Sequence, residues 1–352
     1  NKTIAALGHT YEAQTDCSVE VICSVCESVV FAAKEHTYDD DQDADCNVCG
    51  AVREVGPAKA EDLKFVQAPS LSFQDYIGMQ LLINNKTLSK TYSELYVMAT
   101  QVDPVLGATT IKLEGIPYYG SYLLFDQQIL SWSMAEEVTL TLYGVKDGVT
   151  YVGQSYSASV ESLAMAMLPN NKDNAKVARV LVDMLNYGAA VQTQFNHNAD
   201  FLPNTNLGEY ASLGTATDPE LNASASSEGT GSVKILQTSI SMQSKVEIQF
   251  AFSGNISAYT PKAISGGKEL TCVVDTEVMA QYGLTVVRVA IGAANMRENV
   301  SFALYNADGN PVTATQNVSV EALVKNLTTS AQGPVILAMM RYGDAVAAFA
   351  AG

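Results

Sequence analysis

The feature that most constrains this chain is that one stretch of it occurs twice, in the same order. Ser70-Leu-Ser-Phe-Gln-Asp-Tyr-Ile-Gly-Met-Gln80 lies over Ser239-Ile-Ser-Met-Gln-Ser-Lys-Val-Glu-Ile-Gln249, a shift of 169 residues (239 minus 70), with Ser, Gln and the apolar alternation in register. Val138-Thr-Leu-Thr-Leu-Tyr143 lies over Val300-Ser-Phe-Ala-Leu-Tyr305, a shift of 162 (300 minus 138), and Asp-Gly pairs follow at 147–148 and 308–309. Ser159-Val-Glu-Ser-Leu163 then matches Ser319-Val-Glu-Ala-Leu323, and Met184-Leu-Asn-Tyr-Gly-Ala-Ala-Val191 matches Met339-Met-Arg-Tyr-Gly-Asp-Ala-Val346. The shift falls to 155 (342 minus 187) at the last match, as shorter loops in the second copy would produce. A repeat of this length is a whole supersecondary unit, so fold and function must be read for a duplicated module.

Each copy changes period at the same place. Ile77, Met79 and Leu81, then Val138, Leu140 and Leu142, alternate with polar residues, which predicts half-buried antiparallel strands. Val160, Leu163, Ala164 and Met167 then recur at helical spacing, followed by Val177, Val180, Leu181, Met184, Leu185 and Gly188. The second copy answers with Val320, Leu323, Val324 and Leu327, then Val335, Ile336, Met339, Met340 and Gly343, with Pro334 suited to a first helical turn. Glu161 and Glu321 stand at equivalent helix starts, where an acid favours the helix dipole, and the methionines of these stripes are core packing. The predicted fold is α+β: two tandem antiparallel β-sandwich or sheet modules, each ending in a helical hairpin, behind a small zinc-ribbon-like head. The boundaries are a head at 1–57, a first module at 58–200, a linker or draped connection at 201–231 and a second module at 232–352.

At 47% apolar and 16% charged residues the chain is globular, and 352 residues suffice for more than one core. A formal charge of −17 repels phosphate backbones and anionic lipid, which argues against nucleic acid as a partner. No apolar run is long enough to predict a membrane span. The first residue is Asn1 rather than Met and no basic-then-apolar leader follows, which removal of a signal peptide or the choice of where the sequence is cut would explain, so export is permitted but not shown. Asn-X-Ser/Thr sites at Asn1, Asn85, Asn222, Asn255, Asn299, Asn317 and Asn326 fit an exported glycoprotein but arise readily by chance in a chain of this composition.

The first 57 residues differ in kind. Five of the six Cys lie there, Cys17, Cys23, Cys26, Cys46 and Cys49, with two of the three His, His9 and His36. They form two similar units, His9-Thr-Tyr11 leading to Cys17, Cys23 and Cys26, and His36-Thr-Tyr38 leading to Cys46 and Cys49. A Cys-x-x-Cys knuckle presents two thiolates on one side of a turn, and a His with a further Cys completes a tetrahedron around Zn²⁺. Zinc is therefore expected at His9, Cys17, Cys23 and Cys26. The second unit offers only His36, Cys46 and Cys49, with water, Asp43 or Asp45 available for a fourth position. Disulfides are the alternative for an exported chain. A His at the same offset before each Cys pair favours metal, and a segment with so little apolar content needs a staple.

This head resembles the His-Thr-Tyr...Asp-Cys-Asn-Val-Cys-Gly repeats of large secreted or cell-surface proteins of clostridia and related Gram-positive gut bacteria, through His36-Thr-Tyr-Asp39 and Asp43-Ala-Asp-Cys-Asn-Val-Cys-Gly50. In those repeats a further Cys commonly stands where this chain has Gln42. The body resembles the paired domains that follow such repeats, in Leu181-Val-Asp-Met-Leu-Asn-Tyr-Gly-Ala-Ala190 and Met340-Arg-Tyr-Gly-Asp344. The resemblance implies a secreted, cell-surface setting and no particular reaction.

Other candidates have plainer readings. Asp39, Asp41, Asp43 and Asp45 lack the Gly and Glu of a calcium loop and fit a solvated acidic turn. Tyr118, Tyr119 and Tyr122 suit strand pairing or core better than a sugar platform. Cys272 fits a buried strand thiol. His197, the one His outside the head, fits an exposed or capping residue past a helix. No nucleophile elbow, phosphate loop or zinc-protease helix occurs, so no catalytic residue is assigned. The expected role is a non-enzymatic structural or adhesive surface protein with protein partners, among them further copies of itself in a filament or layer. A module binding carbohydrate, such as surface glycans, comes second and an enzyme last.

Overall fold

The computed structural model describes residues 8–39, 42–277 and 279–352. The fold is mixed α+β and mostly sheet. A small head carries β1 (Val21–Ile22) and β2 (Val29–Phe31). The first half of the body follows with β3 (Ala58–Lys59), β4 (Ser70–Ser72), β5 (Gly78–Asn84), α1 (Asn85–Leu88), β6 (Glu94–Asp103), β7 (Gly107–Glu114), β8 (Ile116–Tyr118), β9 (Tyr122–Gln128), β10 (Val138–Lys146), β11 (Val149–Ala158), α2 (Val160–Asn171) and α3 (Ala175–Phe195). The second half has β12 (Ser226–Glu228), β13 (Gln237–Met242), β14 (Val246–Ser253), β15 (Thr260–Ser265), β16 (Lys268–Leu270), β17 (Cys272–Asp275), β18 (Leu284–Ile291), β19 (Val300–Tyr305), β20 (Thr315–Val318), α4 (Val320–Val324) and α5 (Gly333–Ala350).

Each half holds two sheets. The orders are β4-β5-β9-β8 and β3-β11-β10-β6-β7 in the first, β13-β14-β18-β17 and β12-β20-β19-β15-β16 in the second. Strand for strand the orders correspond, and so does register: Ser70 pairs Gln80, and Ser239 pairs Gln249. The outermost strands differ, since β3 joins β11 in parallel whereas β12 joins β20 antiparallel. Alternation decides which face is inside. Ile77, Met79, Leu81 and Ile83, like Val138, Leu140 and Leu142, are all buried. In the second half Phe250 of β14 stacks on Phe302 of β19, joining the inner faces of the two sheets. The β10–β11 turn has Asp147 at φ 53° and Gly148 at φ 79°, the left-handed pair that a two-residue hairpin requires.

Ser159 and Ser319 cap α2 and α4, accepting from the N–H of Ser162 and Ala322. The helix pair of the second half is shorter than its sequence stripe suggests, because α4 is five residues long and continues only as a 3₁₀ turn, Lys325–Leu327. The principal helix contact also crosses between the halves: α3 packs more extensively on α5 than on α2. At that seam Tyr187 and Tyr342, equivalent in the repeat, stack with centroids 5.9 Å apart and planes 10° from parallel. Their neighbours Gly188 and Gly343 leave no room for a Cβ, which would come within 2.6 Å of Met134 Sδ and 2.8 Å of Met296 Sδ. Two backbone bonds cross the seam in matching fashion, Ser131 N–H to Gln243 O at 3.2 Å and Ala293 N–H to Gln74 O at 2.7 Å.

Residues 201–231 run along the body surface. Leu207 is buried, Thr215 donates to Asp183, Arg341 pairs with Asp218, and the N–H groups of Asn222 and Ala223 donate to Glu321. Glu321 is itself buried and pairs with Arg297 at 3.2 Å, so beyond any effect on the helix dipole it anchors this crossing segment. No helix among the described residues is long and apolar enough to cross a membrane.

Candidate metal centre

Among described residues 8–57, only Cys17, Cys23 and Cys46 are buried, while Tyr11, Val25, Phe31, Val48 and Val52 are exposed. The head therefore has sulfur where an ordinary domain has an apolar core.

Both Cys-x-x-Cys knuckles are built alike. The N–H of Glu27 donates to Cys23 O at 3.0 Å and that of Gly50 to Cys46 O at 2.8 Å, closing one turn around each sulfur pair. These residues take φ of 58° and 71°, a left-handed position that costs Gly nothing and Glu27 some strain. Each knuckle is docked on its own His-Thr-Tyr segment, by Ser24 N–H to Thr10 O and Asn47 N–H to Thr37 O.

The ligand sets are not those expected from sequence proximity. Cys17 leaves the first unit and joins His36, Cys46 and Cys49, and the four ligand atoms lie within 4.8 Å of one another. The β1–β2 hairpin does this: it pairs Val21 with Phe31, and Lys34 N–H donates to Cys17 O at 2.8 Å, so Cys17 runs alongside the approach to His36. Cys17 Sγ stands 3.1 Å from His36 Nδ1, 3.6 Å from Cys46 Sγ and 3.5 Å from Cys49 Sγ; Cys49 Sγ is 3.5 Å from His36 Nδ1. Ligands about 2.0–2.3 Å from a tetrahedral zinc stand about 3.3–3.8 Å apart, whereas disulfide sulfurs are about 2.05 Å apart. All six cysteines are free. On the far side of the ring, His36 Nε2 lies 3.2 Å from Asp16 Oδ1, the carboxylate support that orients a metal-binding imidazole.

The thiols already differ in acidity. Burial pushes the Cys46 thiol up, but the backbone N–H groups of Cys49, Val48 and Thr37 and the His36 ring outweigh it and bring it down to about 5. Burial and the sulfurs of Cys49 and Cys46 push Cys17 up to about 12. The two thiols differ because backbone N–H groups favour the thiolate at Cys46 while burial disfavours it at Cys17, and metal binding requires the thiolate at both.

His9, Cys23 and Cys26 form the second group, also within 4.8 Å. Cys26 Sγ is 3.4 Å from His9 Nδ1, and Cys23 is brought to about 6 chiefly by the N–H groups of Val25 and Cys26. This set offers three protein ligands with His9 and Cys26 exposed, so it suits a weaker, exchangeable ion. Both donor sets, thiolate with imidazole, have the chemistry to hold a metal ion.

The acidic turn is a hydrogen-bonded loop, with Asp43 accepting from the N–H groups of Asp39 and Asp45; Asp41 lies outside the described residues, as does Asn1. Tyr118 pairs across strands with Tyr122, but Tyr119 is 82% exposed at a positive φ and packs edge-on against Tyr118 at 4.4 Å, so this cluster is not core. Cys272 is half-buried on the edge strand β17 rather than fully buried. His197 is neither exposed nor a simple cap: it is buried 2.9 Å from Asp103. The chain matches no protein-family model and no curated protein sequence.

Proposed function

We propose that this chain is a non-enzymatic, extracellular structural or adhesive module in which zinc folds the N-terminal head. The observation that carries the reading is that, among the described residues of the head, the only buried side chains are cysteines gathered with histidines at tetrahedral spacing. A site with four protein ligands leaves no position for a substrate, the arrangement of structural rather than catalytic zinc. His36, Cys46, Cys49 and Cys17 would hold the ion, which supplies cross-linking and charge neutralisation. Behind the head, the corresponding strand orders and the shared register support two copies of one sheet-and-helix module. Such a body is suited to present surfaces, to protein partners or to further copies of the chain.

The test is zinc content of the native chain by plasma mass spectrometry, with limited proteolysis. One zinc per chain survives dialysis, and Cys46→Ser loses it and exposes the head to cleavage while the body stays intact. A metal-free chain with a protease-resistant head, or disulfides on mass mapping, would overturn the reading. Electron microscopy of the same preparation separates a polymer from a dispersed spacer or adhesin. A carbohydrate-binding reading is favoured by one observation, the exposed Tyr118 and Tyr119 pair at a loop tip. On that reading Tyr119→Ala abolishes retention on a glycan array.

A further inference from the structure

Away from the head, three acid and imidazole side chains from distant parts of the sequence meet in the first half of the body. Asp103 ends β6, Glu136 lies in the connection before β10, and His197 sits just past α3. All three are buried, and their nitrogen and oxygen atoms lie within 4.8 Å of one another. Asp103 is held firmly: Oδ1 accepts from the N–H groups of Val105 and Leu106 at 2.8 Å each, and Oδ2 accepts from Ser133 Oγ at 3.1 Å and faces His197 Nε2 at 2.9 Å. Glu136 Oε1 accepts from Asn198 Nδ2 at 2.9 Å. Its other oxygen, Oε2, is buried and has no hydrogen-bond partner among the described residues. No Lys or Arg among the described residues pairs with either carboxylate. Two buried carboxyl groups thus share this space with one imidazole and no other ion-pair partner among the described residues.

The loop bearing His197 is fixed in place. Gln192, wholly buried, donates through Nε2 to the carbonyls of His197, Asn198 and Phe201. Asn196 and Asn198, on either side of His197, both take positive φ, at 50° and 49°. A buried polar anchor and two left-handed Asn residues together fix where this loop puts its imidazole. The module does not need this cluster to fold. In the first half Val138 stands opposite Gln101, and in the second Val300 stands opposite Ser265, so the place of Asp103 falls to Gly267; Asn295 stands for Ser133 and an exposed Glu298 for Glu136, and no His lies in that half.

We infer that Asp103, Glu136 and His197 form a binding site for a divalent transition-series cation such as Mn²⁺ or Zn²⁺, separate from the head and unique to the first half. Two carboxylates and an imidazole suit such ions, and the 2.9 Å between His197 Nε2 and Asp103 Oδ2 is the edge of an octahedron with ligands about 2.1 Å from its centre. The ion takes its charge balance from both carboxylates and gives Glu136 Oε2 a partner. It ties β6, the connection before β10 and the end of α3 together, so it locks the first half against the segment leading to the second.

Trp132, the only tryptophan of the chain, lies with its ring 5.9 Å from that of His197 and serves as the reporter. Mn²⁺ is titrated into the full-length chain carrying a single zinc, held by the four-ligand head site and verified by metal analysis in wild type and in Glu136→Gln, following quenching of Trp132 fluorescence by the paramagnetic ion and loss of the free-Mn²⁺ spin resonance signal. One Mn²⁺ per chain with saturable quenching is expected, weakened at least about tenfold in Glu136→Gln and in His197→Asn, and unchanged in Glu298→Gln. Glu136→Gln is isosteric and keeps the Asn198 bond, so circular dichroism and melting temperature verify its fold before titration. No quenching by millimolar Mn²⁺ overturns the site. Equal binding by wild type and both cluster variants also overturns it, by placing the ion elsewhere.

Discussion

The stacked tyrosines at the α3–α5 seam occupy equivalent positions in the repeat, yet removing their hydroxyls should have unequal effects. Tyr342 Oη donates to Phe73 O at 2.5 Å, tying α5 to the strand region of the other half. Tyr187 Oη, buried near Ser131, has no hydrogen bond of normal geometry among the described residues. Tyr342→Phe keeps the ring stack but loses one hydrogen bond and leaves a half-buried carbonyl unpaired, a loss of about 1–2 kcal/mol. Tyr187→Phe removes a buried hydroxyl that gains little, so its stability should stay within about 0.5 kcal/mol of wild type or rise. For a chain of this size, with a urea m-value of about 3 kcal/mol/M or more, Tyr342→Phe should lower the midpoint by about 0.3–0.6 M at unchanged m, and Tyr187→Phe should leave it within about 0.2 M. Urea unfolding read by far-ultraviolet circular dichroism measures both. Equal losses in the two variants, or a neutral Tyr342→Phe, would refute the argument that this one hydroxyl, rather than the ring pair, distinguishes the two sides.

Further expectations follow from single contacts. Cys17→Ser should lose the tightly held zinc while Cys23→Ser keeps it, the reverse of what sequence proximity implies, as metal analysis of both variants will show. Burial pushes the Glu321 carboxyl up, but the N–H groups of Ala223 and Asn222 and the Arg297 guanidinium outweigh it and hold it below the ordinary range. Its contribution is therefore present at neutral pH and lost as pH falls through the folded value, so Glu321→Gln should be about 2 kcal/mol less stable at pH 7 and nearly equal to wild type in strong acid, by denaturant titration across pH. A Cβ at Gly153 would lie 2.4 Å from Leu63 O, backbone that cannot step aside, so Gly153→Ala should cost about 1–3 kcal/mol in a thermal melt. Burial raises the Cys272 thiol to about 11, so its alkylation in the zinc-loaded chain should be slow at pH 8 and accelerate as pH approaches that value, followed by mass spectrometry.

What could be read from sequence was what sequence order itself carries. The alternation of Ile77, Met79 and Leu81 fixes which face of β5 is buried, and the matched Ser and Gln fix its pairing with β4, because a one-residue slip would turn the apolar face outward. The two His-Thr-Tyr and Cys-x-x-Cys units were legible for the same reason, each being a local turn. The ligand sets were not. Cys17 precedes its own knuckle closely in sequence, but the β1–β2 hairpin folds it back toward residue 34, and only that pairing carries it to His36. His197 was misread because polar neighbours past a helix end suggest solvent. Asn196 turns the chain left-handed there, and Gln192 draws three carbonyls inward, which sends the imidazole into the body. Asn on both sides of the only His outside the head was the available sign, since Asn tolerates positive φ better than any other residue with a side chain except Asp.

The way the halves meet bears on what such a body can do. In a beads-on-a-string spacer each module closes its own core and its neighbour can be removed. Here Ser131 N–H reaches Gln243 O and Ala293 N–H reaches Gln74 O, residues that exchange under the repeat shifts of 162 and 169 (293 minus 131, 243 minus 74). The Tyr187 and Tyr342 stack follows the same exchange. Contacts of residue i with j answered by j with i are the mark of an isologous interface, the kind that relates two copies about a twofold axis. The pair therefore resembles a dimer whose subunits have been joined by the draped 201–231 segment, and the surface that would otherwise drive self-association through α3 and α5 is already satisfied within the chain. For the assembly proposed above, the free edge strands, such as the exposed β7, and the head are where contact should be sought.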